Sequence, residues 1–283
     1  MPARRSLKAA EAKRSAARGI SQREVEDVEE MSTPRTPVIY EVVRRLGEEE
    51  MERPLISLWW SGVAAGLSIS FSLLAQAILT AHLADESWRP LVASFGYSIG
   101  FLIVILGRQQ LFTESTITAV LPVLKDINAH NLWRMARLWS IVLVANLAGT
   151  LFASLFCTFF PTVPSELYGG MLGISRELIE IGWAQMFFRG ISSGFLMAAM
   201  VWMLPSAETA KVPVITIMTW LIAVGSFTHI VAGSMEAWLL VLAGDWAWWQ
   251  MLIQFAAPVL IGNMIGGTAL FALISYAQVM EEI

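Results

Sequence analysis

The chain has 283 residues, of which 56% are hydrophobic and 15% are charged, and its formal net charge at pH 7 is −4. Ordinary soluble domains carry about 25% charged residues, so this composition excludes a soluble protein and predicts a polytopic helical membrane protein. A single cysteine, Cys157, excludes an intramolecular disulfide and a cysteine-based structural metal site.

The N-terminal arm, residues 1–54, differs in composition from the rest of the chain. It holds 11 of the 19 lysines and arginines, and residues 1–36 contain few large apolar side chains, so we expect them to be disordered. Apolar residues at helical spacing between 38 and 51 predict a short interfacial helix. We expect this arm to be cytoplasmic and to precede a channel domain at 55–280.

Six membrane spans follow, and polar residues interrupt the second and the fifth. A loop with two prolines and three glycines is expected at 161–173, between the two halves. Lys and Arg are concentrated in the arm and in the loops after spans 2 and 4, so the positive-inside rule predicts that both termini are cytoplasmic. The spans are predicted at residues 55–83, 91–124, 133–160, 183–204, 212–243 and 249–279.

The break in the second span is a polar stretch at 107–116 that separates two apolar runs. It contains Arg108, two glutamines, Glu114 and three hydroxyl side chains, and it predicts a loop. Irregular polar backbone survives at membrane depth only when it is buried in protein or lines a cavity. The stretch is therefore a candidate functional site.

The two halves of the channel domain repeat three features in the same order. Each half has three spans, so the second half must be inverted in the membrane. Inverted repeats with paired broken helices place a permeation site near the midplane. The matched features are Gly62-x-x-x-Gly66 with Gly190-x-x-x-Gly194, the two polar breaks, and Asn146-x-x-Gly149 with Asn263-x-x-Gly266.

Five motifs in order resemble the formate/nitrite transporter family over about residues 55–278. They are Leu111-Phe112-Thr113, Phe188-Arg189-Gly190-Ile191, Ala199-Met200-Val201-Trp202-Met203, His229-Ile230-Val231-Ala232 and Gly262-Asn263-Met264-Ile265-Gly266-Gly267. The resemblance implies an all-α, aquaporin-like fold of six spans in two inverted repeats. It also implies a homopentamer in the inner membrane, in which each protomer holds a pore for small monovalent anions or their acids.

The resemblance further implies a pore centred on His229, the only histidine within a span. His229 would bind or protonate a passing anion, and Thr113 would offer its hydroxyl to the ring nitrogen or to the solute. A core histidine that caps the broken helix is the alternative interpretation. The resemblance also implies constrictions at Leu111, Phe112, Met197 and Ile222.

Acidic residues depart from the family's pattern. Family members commonly have a lysine near the outer entrance, ahead of span 4, where this chain has Glu177 and Glu180. Glu114 in the first break and Glu236 after the second break add two further carboxylates. A carboxylate beside the pore would repel anions, and the alternative is then a channel for cations or a neutral solute.

Three arginines are candidate partners for these carboxylates, because charges within a membrane usually pair. They are Arg108, Arg176 and Arg189.

Other classes of function find little support in the sequence. No His-Glu-x-x-His or Walker pattern occurs, and His82 and His130 lie at the edges of loops, which disfavours an enzyme. We find no cofactor, metal or nucleic-acid signature. A non-transporting scaffold or sensor is the remote alternative, but the polar breaks favour a pore.

Overall fold

The computed structural model describes residues 34–282, and within them every regular element is a helix. The disorder predicted for residues 1–36 falls almost entirely outside this range. The helices are α1 (Thr36–Glu52), α2 (Leu55–His82), α3 (Arg89–Leu106), α4 (Phe112–Thr118), α5 (Val120–Lys125), α6 (Ala129–Phe159), α7 (Ser165–Arg176), α8 (Trp183–Ser206), α9 (Lys211–Val224), α10 (Ala232–Ala243) and α11 (Trp248–Val279).

Five of these helices, α2, α3, α6, α8 and α11, are long and apolar enough to cross a membrane. The fifth span consists of α9 and α10, which have 14 and 12 residues and are joined by the irregular segment 225–231. Because a bilayer requires about 20 helical residues, these two half-helices cross it only together. The second span likewise continues past its break at 107–111 into α4 and α5. The predicted six spans, two of them interrupted, are confirmed.

The first break is shorter than the sequence predicts. Residues 107–111 leave the helical path, but α4 begins at Phe112, so residues 113–116 are helical. The cause is a tertiary contact, because the backbone N–H of Phe112 donates to Oδ1 of Asn146 at 2.9 Å. This acceptor satisfies one of the free N–H groups at the start of the helix.

The expectation of a loop at 161–173 is wrong for its second part, because α7 begins at Ser165. Glycines within this stretch lower the helix propensity, which is why the sequence pattern favours a loop. Burial of Met171 and Ser175 against neighbouring helices, among them α2 and α10, outweighs this cost.

Asn146 of α6 binds the first break through three hydrogen bonds. Its Oδ1 accepts from Phe112 N–H, and its Nδ2 donates to the carbonyls of Gly62 and Gln110, all at 2.9 Å. The side chain is fully buried. It therefore supplies partners to backbone groups that the break has removed from regular helix.

Asn263 of α11 binds the second break in the same way. Its Oδ1 accepts from Ile230 N–H at 2.9 Å, and its Nδ2 donates to the carbonyls of Gly190 and Thr228 at 2.9 and 3.0 Å. The two halves thus repeat a side chain, its partners and its geometry. The inverted repeat predicted from the sequence is confirmed.

The two breaks also share their backbone path. Gly107 and Gly225 each donate to the carbonyl four residues earlier. The residues that follow, Arg108 and Ser226, both have a positive φ, at 51° and 50°. Non-glycine residues rarely adopt this conformation, so tertiary contacts impose it at both places. A residue of the first break corresponds to the residue 118 positions later in the second.

Small residues bring the spans close enough for these contacts. Gly66 of α2 lies against the backbone of Asn146, and Gly194 of α8 lies against the backbone of Asn263. A Cβ atom at either glycine would overlap the carbonyl of the asparagine. Both contacts lie within one protomer and hold each asparagine beside its break.

Candidate functional site

His229 and Thr113 meet where the two broken spans approach each other. The His229 Nε2 lies 2.8 Å from the Thr113 Oγ1, and its Nδ1 accepts from the N–H of Ala232 at 3.1 Å. The ring packs edge-on against Phe101 of α3, with centroids 5.1 Å apart. His229 is 1% exposed and Thr113 is fully buried. Both side chains are therefore held in fixed positions within the protein.

These contacts define the tautomer of the imidazole. Because Nδ1 accepts from a backbone N–H, a neutral ring carries its proton on Nε2. The Nε2–H then donates to Thr113 Oγ1, which leaves the threonine hydroxyl proton for a third group. His229 thus caps α10, and through Thr113 it can also present a hydroxyl donor to a small oxyanion or its acid.

The four residues predicted as constrictions all lie in the apolar core of this region. Each is no more than 1% exposed, and all belong to one continuous cluster of buried side chains. Leu111 occupies the position in the first break that corresponds to His229 in the second. The cluster comprises, with other residues, Leu111, Phe112, Met197 and Ile222.

A cavity of about 90 Å³, which we call the α7-side cavity, extends from His229 toward the turn that follows α7. Aromatic rings of Tyr97 and Phe255 form part of its wall. Its carboxyl groups are Glu177 and Glu236, and no lysine or arginine is found among the described residues that line it. A small solute in this cavity would be surrounded by negative charge whenever both carboxyl groups were ionised.

A larger cavity of about 720 Å³, which we call the α1-side cavity, lies beside α1 and the first break. Its charged groups are balanced, three acidic against three basic. They are Glu49, Glu50, Glu114, Arg53, Arg108 and Lys211. Within residues 34–282, no three His, Cys, Asp and Glu side chains are arranged to hold a metal ion.

Glu50 of α1 binds the second span at two points, Gln110 in the break and Thr118 at the end of α4. Its Oε2 accepts from Thr118 Oγ1 at 2.5 Å, and its Oε1 accepts from Gln110 Nε2 at 3.2 Å. Burial raises the pKa of this carboxyl group, although the hydrogen bonds from Thr118 and Gln110 lower it. Glu50 thus anchors the arm to the channel domain.

The remaining predicted site residues lie apart from the central pair. Glu180 is exposed and lines neither cavity, and Arg189 is partly buried outside both. Arg176 forms an ion pair with Asp245, with 2.8 Å between Nε and Oδ2. Among the ion pairs of the described residues, none joins Arg108 or Arg189 to a carboxylate.

Sequence reasoning missed Glu50 and the function of the two asparagines. Glu50 stands in a run of three glutamates, and nothing in that run distinguishes the one that reaches Thr118. The matched Asn-x-x-Gly pairs of spans 3 and 6 were a usable signal, because a buried amide beside a broken helix needs backbone partners.

Comparison with known proteins places these features in one family. The profile of the formate/nitrite transporter family matches residues 37–277. The chain is 42% identical over 260 residues to "Inner membrane protein YfdC" of Escherichia coli (strain K12), covering 92% of this chain and 84% of that protein. It is 25% identical over 242 residues to "Formate channel FocA" of Haemophilus influenzae, covering 76% of this chain and 84% of that protein.

Two solved structures share the fold. One, described as "Pentameric formate channel with formate bound", matches with a TM-score of 0.67 at 21% identity, over 80% of this chain and 98% of its own. The other, "FNT family ion channel", matches with a TM-score of 0.70 at 21% identity, over 86% of this chain and 98% of its own.

Proposed function

Since the chain belongs to the formate/nitrite transporter family, whose members are membrane channels and transporters rather than enzymes, we propose that it conducts small monovalent weak acids or their anions. Formate and nitrite are the representative solutes. The observation that carries this proposal is the 2.8 Å contact between Thr113 and His229, buried where the two broken spans meet. In this proposal the pair is the central solute site of the pore.

The apolar residues around the pair support a mechanism for weak acids. A narrow apolar passage removes water from a solute, and moving a bare charge into such a medium is costly. A weak acid avoids this cost by crossing in its protonated form. Leu111 and Phe112 would narrow the pore on one side of the pair, and Met197 and Ile222 would narrow it from the neighbouring helices.

Charge placement supports an orientation with α1 in the cytoplasm. Arg137, after the second span, donates to the carbonyl of Arg53 at 2.7 Å, and Lys211, before α9, lines the same cavity as α1. These basic residues therefore share one end of the molecule with the arm, as the positive-inside rule requires of a cytoplasmic end.

The proposed assembly is a homopentamer in the inner membrane. A solved channel of the same fold is described as pentameric, and a relative is named an inner membrane protein. Large apolar side chains such as Phe152 and Phe156 are exposed on the surface of α6, where lipid or a neighbouring protomer would cover them.

Proteoliposomes provide the direct test. Uptake of formate or nitrite should accelerate as the external pH falls, and His229→Ala should abolish it. His82→Ala is the matched control, because His82 is exposed at the end of α2 and lines neither cavity. Uptake that responds neither to pH nor to His229→Ala would contradict the mechanism.

The second candidate is a channel for cations or a neutral solute, and it is favoured by the placement of Glu177 in a cavity without a lining cation. The reversal potential in asymmetric salt separates the candidates, because it moves toward the equilibrium potential of the conducted ion. No flux of any solute would favour a non-transporting scaffold or sensor.

A further inference from the structure

We infer that Glu236 determines the charge selectivity of the α7-side cavity, so that a permeating weak acid passes this half of the pore as the neutral acid and not as the anion. This inference rests on the proposed function and specifies the form of its substrate.

Glu236 is placed to act on every solute that reaches His229 through this cavity. It lies on α10, two turns beyond His229, is partly buried, and lines the α7-side cavity together with Glu177. No ion pair among the described residues involves either carboxylate. The neighbouring cation in the chain, Arg176, is bound to Asp245 instead.

The inverted repeat identifies what is unusual about this position. Glu236 corresponds to Thr118 in the first half, 118 positions earlier. In the α1-side cavity, Thr118 donates to Glu50, and the acidic groups are matched by Arg53, Arg108 and Lys211. Each cavity thus has a carboxyl group at or beside the repeat-related position, Glu236 in one and Glu50 in the other. Only the α1-side cavity also has cations that balance this charge.

This difference gives the two cavities different effects on an anion. Like charges in a cavity of low dielectric repel strongly, so ionised Glu236 and Glu177 disfavour formate or nitrite in the α7-side cavity. A neutral acid experiences no such repulsion, and its O–H can donate a charge-assisted hydrogen bond to the Glu236 carboxylate. The same residue therefore rejects the anion and accepts the acid.

Other titratable groups face the same cavity and must be considered in any pH profile. They are Tyr97 of α3, Glu177 in the turn after α7 and His229 in the second break. Variants at position 236 are therefore compared with the wild type over one pH series, and Glu177→Gln is measured beside them, because Tyr97 and Glu177 interact electrostatically with Glu236.

The test compares formate flux and formate current for the wild type, Glu236→Gln and Glu236→Thr in proteoliposomes from about pH 5.5 to about pH 9, so that the series includes conditions in which Glu236 is ionised. Wild-type flux from the α7 side should follow the concentration of neutral acid. Both variants should add an anion flux. At the upper pH this flux should exceed the anion flux of the wild type about tenfold, because one nearby like charge has been removed. Because a neutral acid carries no current, the wild type should show little formate current, and both variants should show a current that reverses near the equilibrium potential of formate.

Two further variants complete the design. Threonine occupies the repeat-related position, Thr118. Glu236→Thr therefore gives a second neutral variant that tests the inference if Glu236→Gln does not fold. Glu177→Gln should change selectivity in the same direction, and Glu180→Gln should not, because Glu180 lines neither cavity.

The outcomes separate the inference from the proposed function. If the wild type conducts formate or nitrite and the position-236 variants keep its pH profile and show no added formate current, the inference is wrong and the proposed function stands. A cation-selective wild-type current would overturn the inference as well. If no variant and no pH yields weak-acid flux, the proposed function itself fails.

Discussion

Leu111 and His229 occupy the same position in the two broken spans. Each lies between a carbonyl and an N–H that are bound by one asparagine side chain, Asn146 for the first break and Asn263 for the second. The backbone around the two breaks is therefore symmetric, whereas the side chain at this position is apolar in one half and an imidazole in the other.

Replacing Asn263 with leucine should destabilise the channel. The change leaves two carbonyls and one N–H of the buried break without their partner, and each such group costs about 1–3 kcal/mol. Thermal unfolding in detergent should show a loss of more than about 3 kcal/mol, with a similar loss for Asn146→Leu. Asn128→Ala, which removes the helix cap at the start of α6 and an exposed hydrogen bond to Asp126, should cost about 1 kcal/mol.

Thr113→Val should lower weak-acid flux about tenfold. It preserves the volume of the side chain but removes the hydroxyl that accepts from His229 and that we propose donates to the solute. Thr113→Ser keeps the hydroxyl and should retain most of the flux. Stopped-flow uptake into proteoliposomes measures both. Equal fluxes for the valine and serine variants would show that the hydroxyl has no part in conduction.

The contact of α1 with the second span should weaken as the pH rises. Burial raises the pKa of Glu50 in the folded protein, so its contribution to stability is complete below the pKa of an unfolded glutamate and is lost as the pH rises through the raised value. The protection of amides within α1, measured relative to their intrinsic base-catalysed exchange rate, should fall over that range. Glu50→Gln should remove this dependence, and Glu49→Gln, at an exposed neighbour, should preserve it.

Two glycine substitutions should have opposite consequences. In Gly194→Ala the new Cβ meets the backbone of Asn263, so we expect a loss of more than about 2 kcal/mol in the free energy of unfolding. In Gly173→Ala the new Cβ meets no atom within 4 Å, and the helix α7 should gain up to about 1 kcal/mol. Thermal unfolding of the two variants, side by side, checks the packing of α8 against α11.

Much of this fold could be predicted from the sequence. Apolar runs of sufficient length mark the spans, and the order of the glycine pairs, polar breaks and asparagines marks the inverted repeat. The motifs around Thr113 and His229 implied a pore site through resemblance, and the structure places the two side chains 2.8 Å apart.

What the sequence could not provide depends on contacts between distant segments. Helix α4 begins at Phe112 because the side chain of Asn146 on α6 accepts a hydrogen bond from its N–H. The residues around Phe112 in the sequence do not indicate this distant acceptor. Glu50 is 68 positions from Thr118, and a run of three glutamates offers no periodic pattern that selects one of them. Arg176 forms an ion pair with Asp245, which lies 69 positions later in the chain, after the second break.

The side chains of Asn146 and Asn263 bind only main-chain N–H and carbonyl groups of the breaks. A substitution at position 111 or 229 therefore leaves every one of their hydrogen bonds in place. Such a framework allows the side chain at this position to differ between the halves while the asparagine bonds stay in place, and only the cap of His229 on Ala232 depends on the imidazole itself. New solute preferences can then arise through single amino-acid changes, without the repacking that altered chemistry in a close-packed membrane core would otherwise demand.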